Sequence, residues 1–232
     1  MCVAALAWMA HPRWRLVAIG NRDEFHARPT APLARWDNDV LAGRDLQAGG
    51  TWLGVHAAGR FALVTNRRSE GGPQPGMASR GALVSDWLVG VSPDPATAMN
   101  PFNLWLADAR KLSFVTNHPE WTEHAVPAGI HGLSNGARGD RWFKTARLEF
   151  ALGAWLGQEQ AVEGLFAALA DRTPQSPDPE DAYSSVFIAN PDYGTRCSSV
   201  ILVDTAGRGR IIERSFDASA RQIGEVALEF EW

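Results

Sequence analysis

The cysteine at the second position is the residue of this chain whose chemistry can be predicted most directly. Removal of Met1, which a small residue at position two usually permits, would leave Cys2 with both a thiol and a free α-amine. The amine can accept the thiol proton near neutral pH, because a free thiol has a pKa of about 8.5 and an α-amine one of about 7.7 to 8.0. This arrangement predicts an N-terminal nucleophile. The alternative is that Cys2 is a small apolar residue at the start of a strand.

A thiolate that attacks an amide or ester needs a group that holds the amine and a positive charge near the sulfur. Asp23 and Arg22 are the candidates for these two roles. A hairpin predicted over the first 20 residues returns the chain to its start, so both residues are expected near Cys2. Neighbours on a strand point to opposite faces, however, and both reach Cys2 only if they lie in a loop.

The oxyanion of an acyl transfer needs hydrogen-bond donors, and Asn66 and Asn135 each close a predicted strand where a side-chain amide can donate. The alternative is that each is a turn residue. Arg196 enters a strand rich in apolar residues, where its charge faces either solvent or a partner.

Arginines cluster near predicted loops in the first third of the chain: Arg22, Arg28, Arg44, Arg67, Arg68 and Arg80. In an otherwise acidic chain they predict a local anion site for a carboxylate or phosphate, unless they are simply solvated. The candidate ligand-binding residues are Asn21, Glu24, Arg28, Arg68 and Arg80.

The composition excludes several classes of function. With 232 residues and a net charge of −4, the chain lacks the basic balance of a protein that holds nucleic acid mainly by its phosphates. No signal peptide, transmembrane segment or metal-ligand spacing is predicted, and Cys2 and Cys197 are expected to be free thiols. We expect one cytoplasmic domain over residues 1–232, without a required cofactor.

The order of predicted elements indicates an α+β fold of mainly antiparallel strands. Strands are predicted at Val3–Met9, Trp14–Ile19, Thr51–His56, Arg60–Asn66, Asn103–Ala107, Lys111–Thr116, Ile130–Ser134, Ser184–Ala189, Thr195–Val203, Arg208–Phe216 and Val226–Phe230. Helices are predicted from Ser79 to about Val89, over Asp140–Leu156 and over Glu159–Ala170, and a loop over Thr173–Glu180. Trp142, Ala146 and Phe150 are expected to form the buried face of the second helix.

Several short motifs, in this order along the chain, resemble those of the NRDE family, whose eukaryotic members are called transport and Golgi organisation protein 2. They are Met1-Cys2, Asn21-Arg22-Asp23-Glu24-Phe25, Arg28-Pro29-Thr30, Gly50-Thr51-Trp52-Leu53-Gly54, Thr65-Asn66 with Arg68, Ser79-Arg80-Gly81, Asn100-Pro101-Phe102-Asn103, Gly132-Leu133-Ser134-Asn135 and Tyr193-Gly194-Thr195-Arg196. They extend over nearly the whole chain.

This resemblance implies the fold of the N-terminal nucleophile hydrolases, a four-layer αββα sandwich with two antiparallel sheets. Carried over from the cysteine members of that superfamily, the catalytic roles would fall on Cys2, Arg22, Asp23, Asn66, Asn135 and Arg196. The implied activity is an amidohydrolase or acyltransferase acting on a small acyl or amide substrate with an anionic group. The alternative implied by the family is a carrier that binds haem, acyl-coenzyme A or a related lipid without turnover.

Overall fold

The computed structural model describes residues 2–158, 161–178, 181 and 183–232, which form thirteen strands and three α-helices. The strands are β1 (Cys2–Trp8), β2 (Trp14–Phe25), β3 (Thr30–Arg35), β4 (Val40–Asp45), β5 (Leu53–His56), β6 (Arg60–Asn66), β7 (Phe102–Ala107), β8 (Leu112–Thr116), β9 (Thr122–Ala125), β10 (Gly129–Leu133), β11 (Tyr193–Asp204), β12 (Arg208–Phe216) and β13 (Gln222–Glu231). The helices are α1 (Arg80–Leu88), α2 (Phe143–Leu156) and α3 (Val162–Leu169). Three expectations concern residues outside the described ranges, namely Met1, Glu159 and Glu180.

The strands form two antiparallel sheets. The first sheet has six strands in the order β10-β1-β2-β11-β12-β13, and the second has seven in the order β3-β4-β5-β6-β7-β8-β9. The second sheet is a simple meander, whereas the first brings β1 and β2 from the start of the chain against β11 from its end.

The two sheets pack face to face between helices. On β1, Leu6 and Trp8 belong to the core between the sheets, while Val3 and Ala5 belong to a core shared with α2 and α3. Helix α1 covers the outer face of the second sheet through residues such as Leu88. The order of layers is therefore helix, sheet, sheet, helix, which confirms the expected α+β sandwich.

The predicted strands and helices are present at or close to their expected positions, with four corrections. Strand β2 does not stop near Gly20 but continues to Phe25, because β1 and β11 pair with it on both sides and satisfy its backbone through the polar stretch. Ser184–Ala189 is not a strand; there the Phe187 N–H bonds to the Asp171 carbonyl instead. Strands β3, β4 and β9 were not predicted.

The fourth correction concerns the buried face of α2. Phe150 is 80% exposed, and the helix packs through Leu148, Leu152 and Trp155 instead. None of the helices within the described ranges is long and apolar enough to cross a membrane.

Candidate functional site

Cys2 opens β1 and lies directly opposite Arg22 on β2. Since successive residues of a strand point to opposite faces, Cys2 and Arg22 share the face toward the second sheet, and Asp23 points toward the helices. The Ser134 hydroxyl, just beyond β10, donates to the Cys2 carbonyl at 2.8 Å and fixes the start of the strand. The residue next to Arg22, Asp23, also acts on Cys2, because its charge and its main-chain N–H both affect the Cys2 thiol.

The half-buried Cys2 side chain opens into a cavity of about 310 Å³ between the ends of the two sheets. Of the residues predicted for the site, those that line it are Cys2, Arg22, Asp23, Glu24, Arg28, Asn66 and Arg80. Asn21, Arg68, Asn135 and Arg196 do not line it. The structure therefore brings together residues from β1, β2, β6 and α1, which are far apart in sequence.

A cluster of ion pairs lines one wall of the cavity, and we call Arg22, Arg28 and Asp45 the cavity-side cluster. Asp45, at the end of β4, accepts hydrogen bonds from Arg28 Nε at 2.6 Å and Arg22 Nη2 at 3.2 Å, and Glu24 lies at 3.9 Å from Arg22. Burial acts to raise the pKa of Asp45, but the hydrogen bond from Arg28 and the two guanidinium charges outweigh it and keep the pKa below its usual range. Sequence reasoning missed Asp45 because β4 was not predicted.

The first turn of α1 forms another wall and carries Arg80. The segment between β4 and β5 lies very close to the start of α1. A Cβ added at Gly50 of this segment would lie 2.5 Å from the carbonyl carbon of Gly81, so only glycine fits there. Arg80 donates to the Pro101 carbonyl at 3.1 Å and, within the part of the chain that the structure describes, forms no ion pair with a carboxylate. Burial lowers the pKa of this guanidinium. A cation at a helix N-terminus is unfavourable for the helix, so packing alone does not account for it.

Asn66 and Asn135 are joined by a hydrogen bond. The Asn135 side-chain amide donates to the Asn66 carbonyl at 2.5 Å, and the Arg68 N–H donates to the Asn135 carbonyl at 2.8 Å. Asn135 is buried by this bridge between the ends of β10 and β6, whereas the exposed Asn66 lines the cavity. Asn66 is therefore placed for contact with a ligand, and Asn135 holds its backbone.

Arg196 is the extra residue of a bulge in β11, where Thr195 pairs with Asp23 and Cys197 with Arg22. Its guanidinium donates to the carbonyls of Phe25, His26 and Arg28 at 3.0–3.2 Å. Arg196 thus fastens the turn after β2, which carries Arg28, and does not reach the cavity itself.

Asn21 and Arg68 also lie outside the cavity. Asn21 is fully buried toward the helices, where its amide donates to the Leu169 and Val186 carbonyls. Arg68 lies over the ring of Trp142, with its guanidinium carbon 4.8 Å from the ring centroid. Asn21 thus joins β2 to the end of α3 and to the segment before β11, and Arg68 packs against the residue that precedes α2.

Behind β2, Asp23 meets a buried lysine, and we call Asp23 and Lys144 the helix-side pair. Asp23 Oδ1 accepts a hydrogen bond from the Thr195 hydroxyl at 2.8 Å, and Lys144 Nζ lies 3.9 Å from Oδ2. Burial raises the pKa of Asp23 to about 6, although the Lys144 charge opposes that rise. Sequence reasoning missed Lys144; the available signal was a lysine in an apolar helix start, Trp142-Phe143-Lys144.

Two further groups lie at the floor of the cavity, Cys197 and Glu213. Glu213 accepts hydrogen bonds from the Leu33 N–H at 2.7 Å and the Ser199 hydroxyl at 3.3 Å, and burial raises its pKa. Both cysteines are free thiols, as expected, and burial places the pKa of Cys197 well above its usual value. Cys197 therefore lines the same cavity as Cys2, and its raised pKa disfavours the thiolate form.

The Cys2 thiol also has a raised pKa, because burial and the negative charge of Asp23 outweigh the Asp23 N–H and the Arg22 charge, which lower it. A thiol in this setting is protonated at neutral pH, so a reaction through its sulfur needs a base nearby. Among residues 2–158, 161–178, 181 and 183–232, no cluster of His, Cys, Asp and Glu side chains could hold a metal ion.

Known proteins match both the sequence and the fold. The family model described as Transport and Golgi organisation 2 matches residues 1–218. The Transport and Golgi organization protein 2 homolog of Bos taurus is 32% identical, with 93% of each chain covered.

Two solved structures share the fold at low sequence identity. The Caenorhabditis elegans ortholog of N-acylethanolamine-hydrolyzing acid amidase has a TM-score of 0.56 at 11% identity, over 87% of this chain and 92% of that one. Penicillin V acylase from Agrobacterium tumefaciens has a TM-score of 0.53 at 12% identity, over 92% and 83%. The chain shares its four-layer fold with these two proteins, and by its sequence it belongs to the Transport and Golgi organisation 2 family.

Proposed function

We propose that Cys2, once Met1 is removed, is the nucleophile of an amidohydrolase or acyltransferase that acts on a small acyl compound with an anionic group. The observation that carries this proposal is the position of Cys2. Its sulfur opens into a cavity beside Asn66 and Arg80, while Asp23 lies behind the same end of the sheet. An apolar residue at the start of a strand would need neither arrangement.

In the proposed reaction, the Cys2 sulfur attacks the substrate carbonyl and its proton passes to the α-amine of the same residue. A carbon–sulfur bond forms, and Asn66 donates to the oxyanion. The ammonium, held by Asp23, then returns the proton to the leaving amine as the carbon–nitrogen bond breaks. Water or an acceptor amine releases the acyl group from sulfur, with the α-amine again taking the proton.

Arg80 is the residue that supports an anionic substrate. The positive charges of Arg22 and Arg28 are already paired with Asp45, whereas Arg80 donates only to a carbonyl in the described structure. A substrate carboxylate or phosphate on Arg80 would supply the missing negative charge and a charge-assisted hydrogen bond. The acyl carbonyl would then extend from Arg80 toward Cys2.

Intact mass and acyl trapping test the proposal. Purified protein is expected to lack Met1 and, with p-nitrophenyl acetate, to release a burst of p-nitrophenolate while Cys2 becomes acetylated and Cys197 stays unmodified. A form with one additional residue before Cys2 is the matched control. Blocking the amine in this way is expected to lower the acetylation rate roughly a hundredfold.

Complete retention of Met1, or equal labelling of the blocked form, would contradict the enzyme. Calorimetry with acyl-coenzyme A and spectroscopic titration with haem would then test the carrier function implied by the resemblance. A carrier predicts saturable binding that survives Cys2→Ala and weakens in Arg22 or Asp23 variants.

A further inference from the structure

Lys144 is an unusual residue in this chain. The sequence contains 20 arginines and only two lysines, Lys111 and Lys144. The Lys111 side chain is 59% exposed and pairs with Glu123 at the surface, whereas the Lys144 side chain is 1% exposed. Arginine stays charged in proteins, but a buried lysine can gain or lose its proton. Of the two lysines, Lys144 is therefore the one whose protonation can respond to its surroundings.

The contacts of Lys144 do not indicate that its burial stabilises the fold. Nζ has no hydrogen-bond partner within the described ranges, and the nearest carboxylate oxygen, Asp23 Oδ2, lies 3.9 Å away. The residue is also in the first turn of α2, where no acidic side chain offsets the positive end of the helix dipole. Replacing both members of a buried ion pair by apolar groups is often neutral or stabilising, so stability alone does not require a charged pair at this place in the fold.

Its position relative to Cys2 suggests another role. Asp23 follows Arg22, the residue paired with Cys2, and points toward the helices where Lys144 lies. The charges that act on Lys144 come from Asp23 on β2, Cys2 on β1 and Arg68 after β6, and from β11 the Thr195 hydroxyl donates to the Asp23 carboxylate. One carboxylate is therefore available to two cations, the Lys144 ammonium and the α-ammonium of processed Cys2.

We infer that Lys144 is a positioning residue that holds Asp23 ionised and, through its own charge, keeps the Cys2 α-amine neutral until the thiol gives up its proton. A second positive charge near the amine disfavours its protonation, while Asp23 remains available to receive the ammonium formed during attack. This inference rests on the proposed function for its purpose. The charge coupling itself exists whether or not the protein turns over a substrate.

The test is a titration of the α-amine in a Cys2→Ala background, where no thiol interferes. Protein of this background whose intact mass confirms the removal of Met1 is modified with limiting acetic anhydride across a pH series, and acetylation of the terminus is followed by peptide mass. Adding Lys144→Met is expected to raise the midpoint of amine deprotonation by about one pH unit. Lys144→Gln should do the same, Lys144→Arg should leave the midpoint near its original value, and the exposed Lys111→Met is the matched control.

An unchanged midpoint in both neutral variants, or the same rise in Lys144→Arg, would overturn the inference. Circular dichroism of each variant confirms that the comparison is between folded proteins. Because the readout is an amine titration and not turnover, its failure is distinct from the failure of the nucleophile proposal, which acyl trapping on Cys2 decides.

Discussion

Two adjacent residues of β2, Arg22 and Asp23, belong to very different surroundings. Arg22 is part of the cavity-side cluster, where short hydrogen bonds of 2.6 and 3.2 Å satisfy Asp45 beside an open cavity. Asp23 belongs to the helix-side pair, which is fully buried and separated by 3.9 Å. Hydrogen bonds join the cavity-side charges, whereas Lys144 Nζ and Asp23 Oδ2 are buried 3.9 Å apart. Buried groups with perturbed pKa values are typical of functional sites, which supports the proposed proton handling on the helix side.

The largest expected effect is on the rate of Cys2 acylation. Asp23→Asn removes the charge that holds the α-ammonium and is expected to lower the rate roughly a thousandfold. Asp45→Asn, on the cavity side, leaves Cys2 and Asp23 in place, so it should lower the rate by less than about tenfold, or about 1.4 kcal/mol. The burst of p-nitrophenolate measures both variants. Equal losses would show that the two sides do not differ in function.

The pH dependence of stability should also distinguish the two sides. Asp23 has its pKa raised from 3.8 to about 6 in the folded protein, so between these values the folded state keeps a proton that the unfolded state releases. Rising pH therefore favours unfolding. The free energy of unfolding of the wild type, relative to Asp23→Asn, is expected to fall by about 2 kcal/mol from pH 4 to pH 7.

Asp45 gives the opposite sign in the same experiment. Its pKa is lowered, so its contribution is present above the ordinary value of 3.8 and is lost as the pH falls below it. Urea unfolding at several pH values measures both residues. A wild type that becomes more stable relative to Asp23→Asn as pH rises would contradict the account of the helix-side pair.

The smallest expected effect concerns substrate charge. Arg80→Gln is expected to raise KM for glutaryl p-nitroanilide about tenfold, or about 1.4 kcal/mol, and to leave the neutral butyryl p-nitroanilide unchanged. Arg60→Gln is the matched control, because Arg60 also donates to a carbonyl, that of Leu88 at 3.1 Å, but at the other end of α1. An equal change for both substrates would remove Arg80 from substrate recognition.

The α+β class and the first hairpin could be predicted from the residues, because apolar runs and the turn at His11-Pro12-Arg13 are local signals, whereas the four layers were implied by the family resemblance. Strands β3 and β4 were not predicted, because these short, partly exposed stretches depend on pairing with each other and with β5. The ion pairs of Asp45, at the end of β4, could therefore not be predicted either. The burial of Lys144 depends on where α2 lies against β2, and no local pattern reports this.

The alternation of side chains along a strand predicts that Arg22 and Asp23 cannot both reach Cys2 unless they lie in a loop. Both lie on β2, and both act on Cys2. Arg22 is its partner across the two strands, and Asp23 acts on the thiol through its charge and its main-chain N–H. A residue on the opposite face of a strand can therefore still influence its neighbour.

The packing of two sheets with separate helical layers has a consequence for divergence within such proteins. Cys2, Asp23 and Lys144 come from the six-stranded sheet and its own helix, while Asp45, Asn66 and Arg80 come from the seven-stranded sheet and α1. Under the proposed function, substitutions around Arg80 in the seven-stranded half would therefore alter which molecule is accepted and leave the proton-handling groups of the six-stranded half intact. A redesign of selectivity should begin at α1 and spare Asn66, the proposed oxyanion donor.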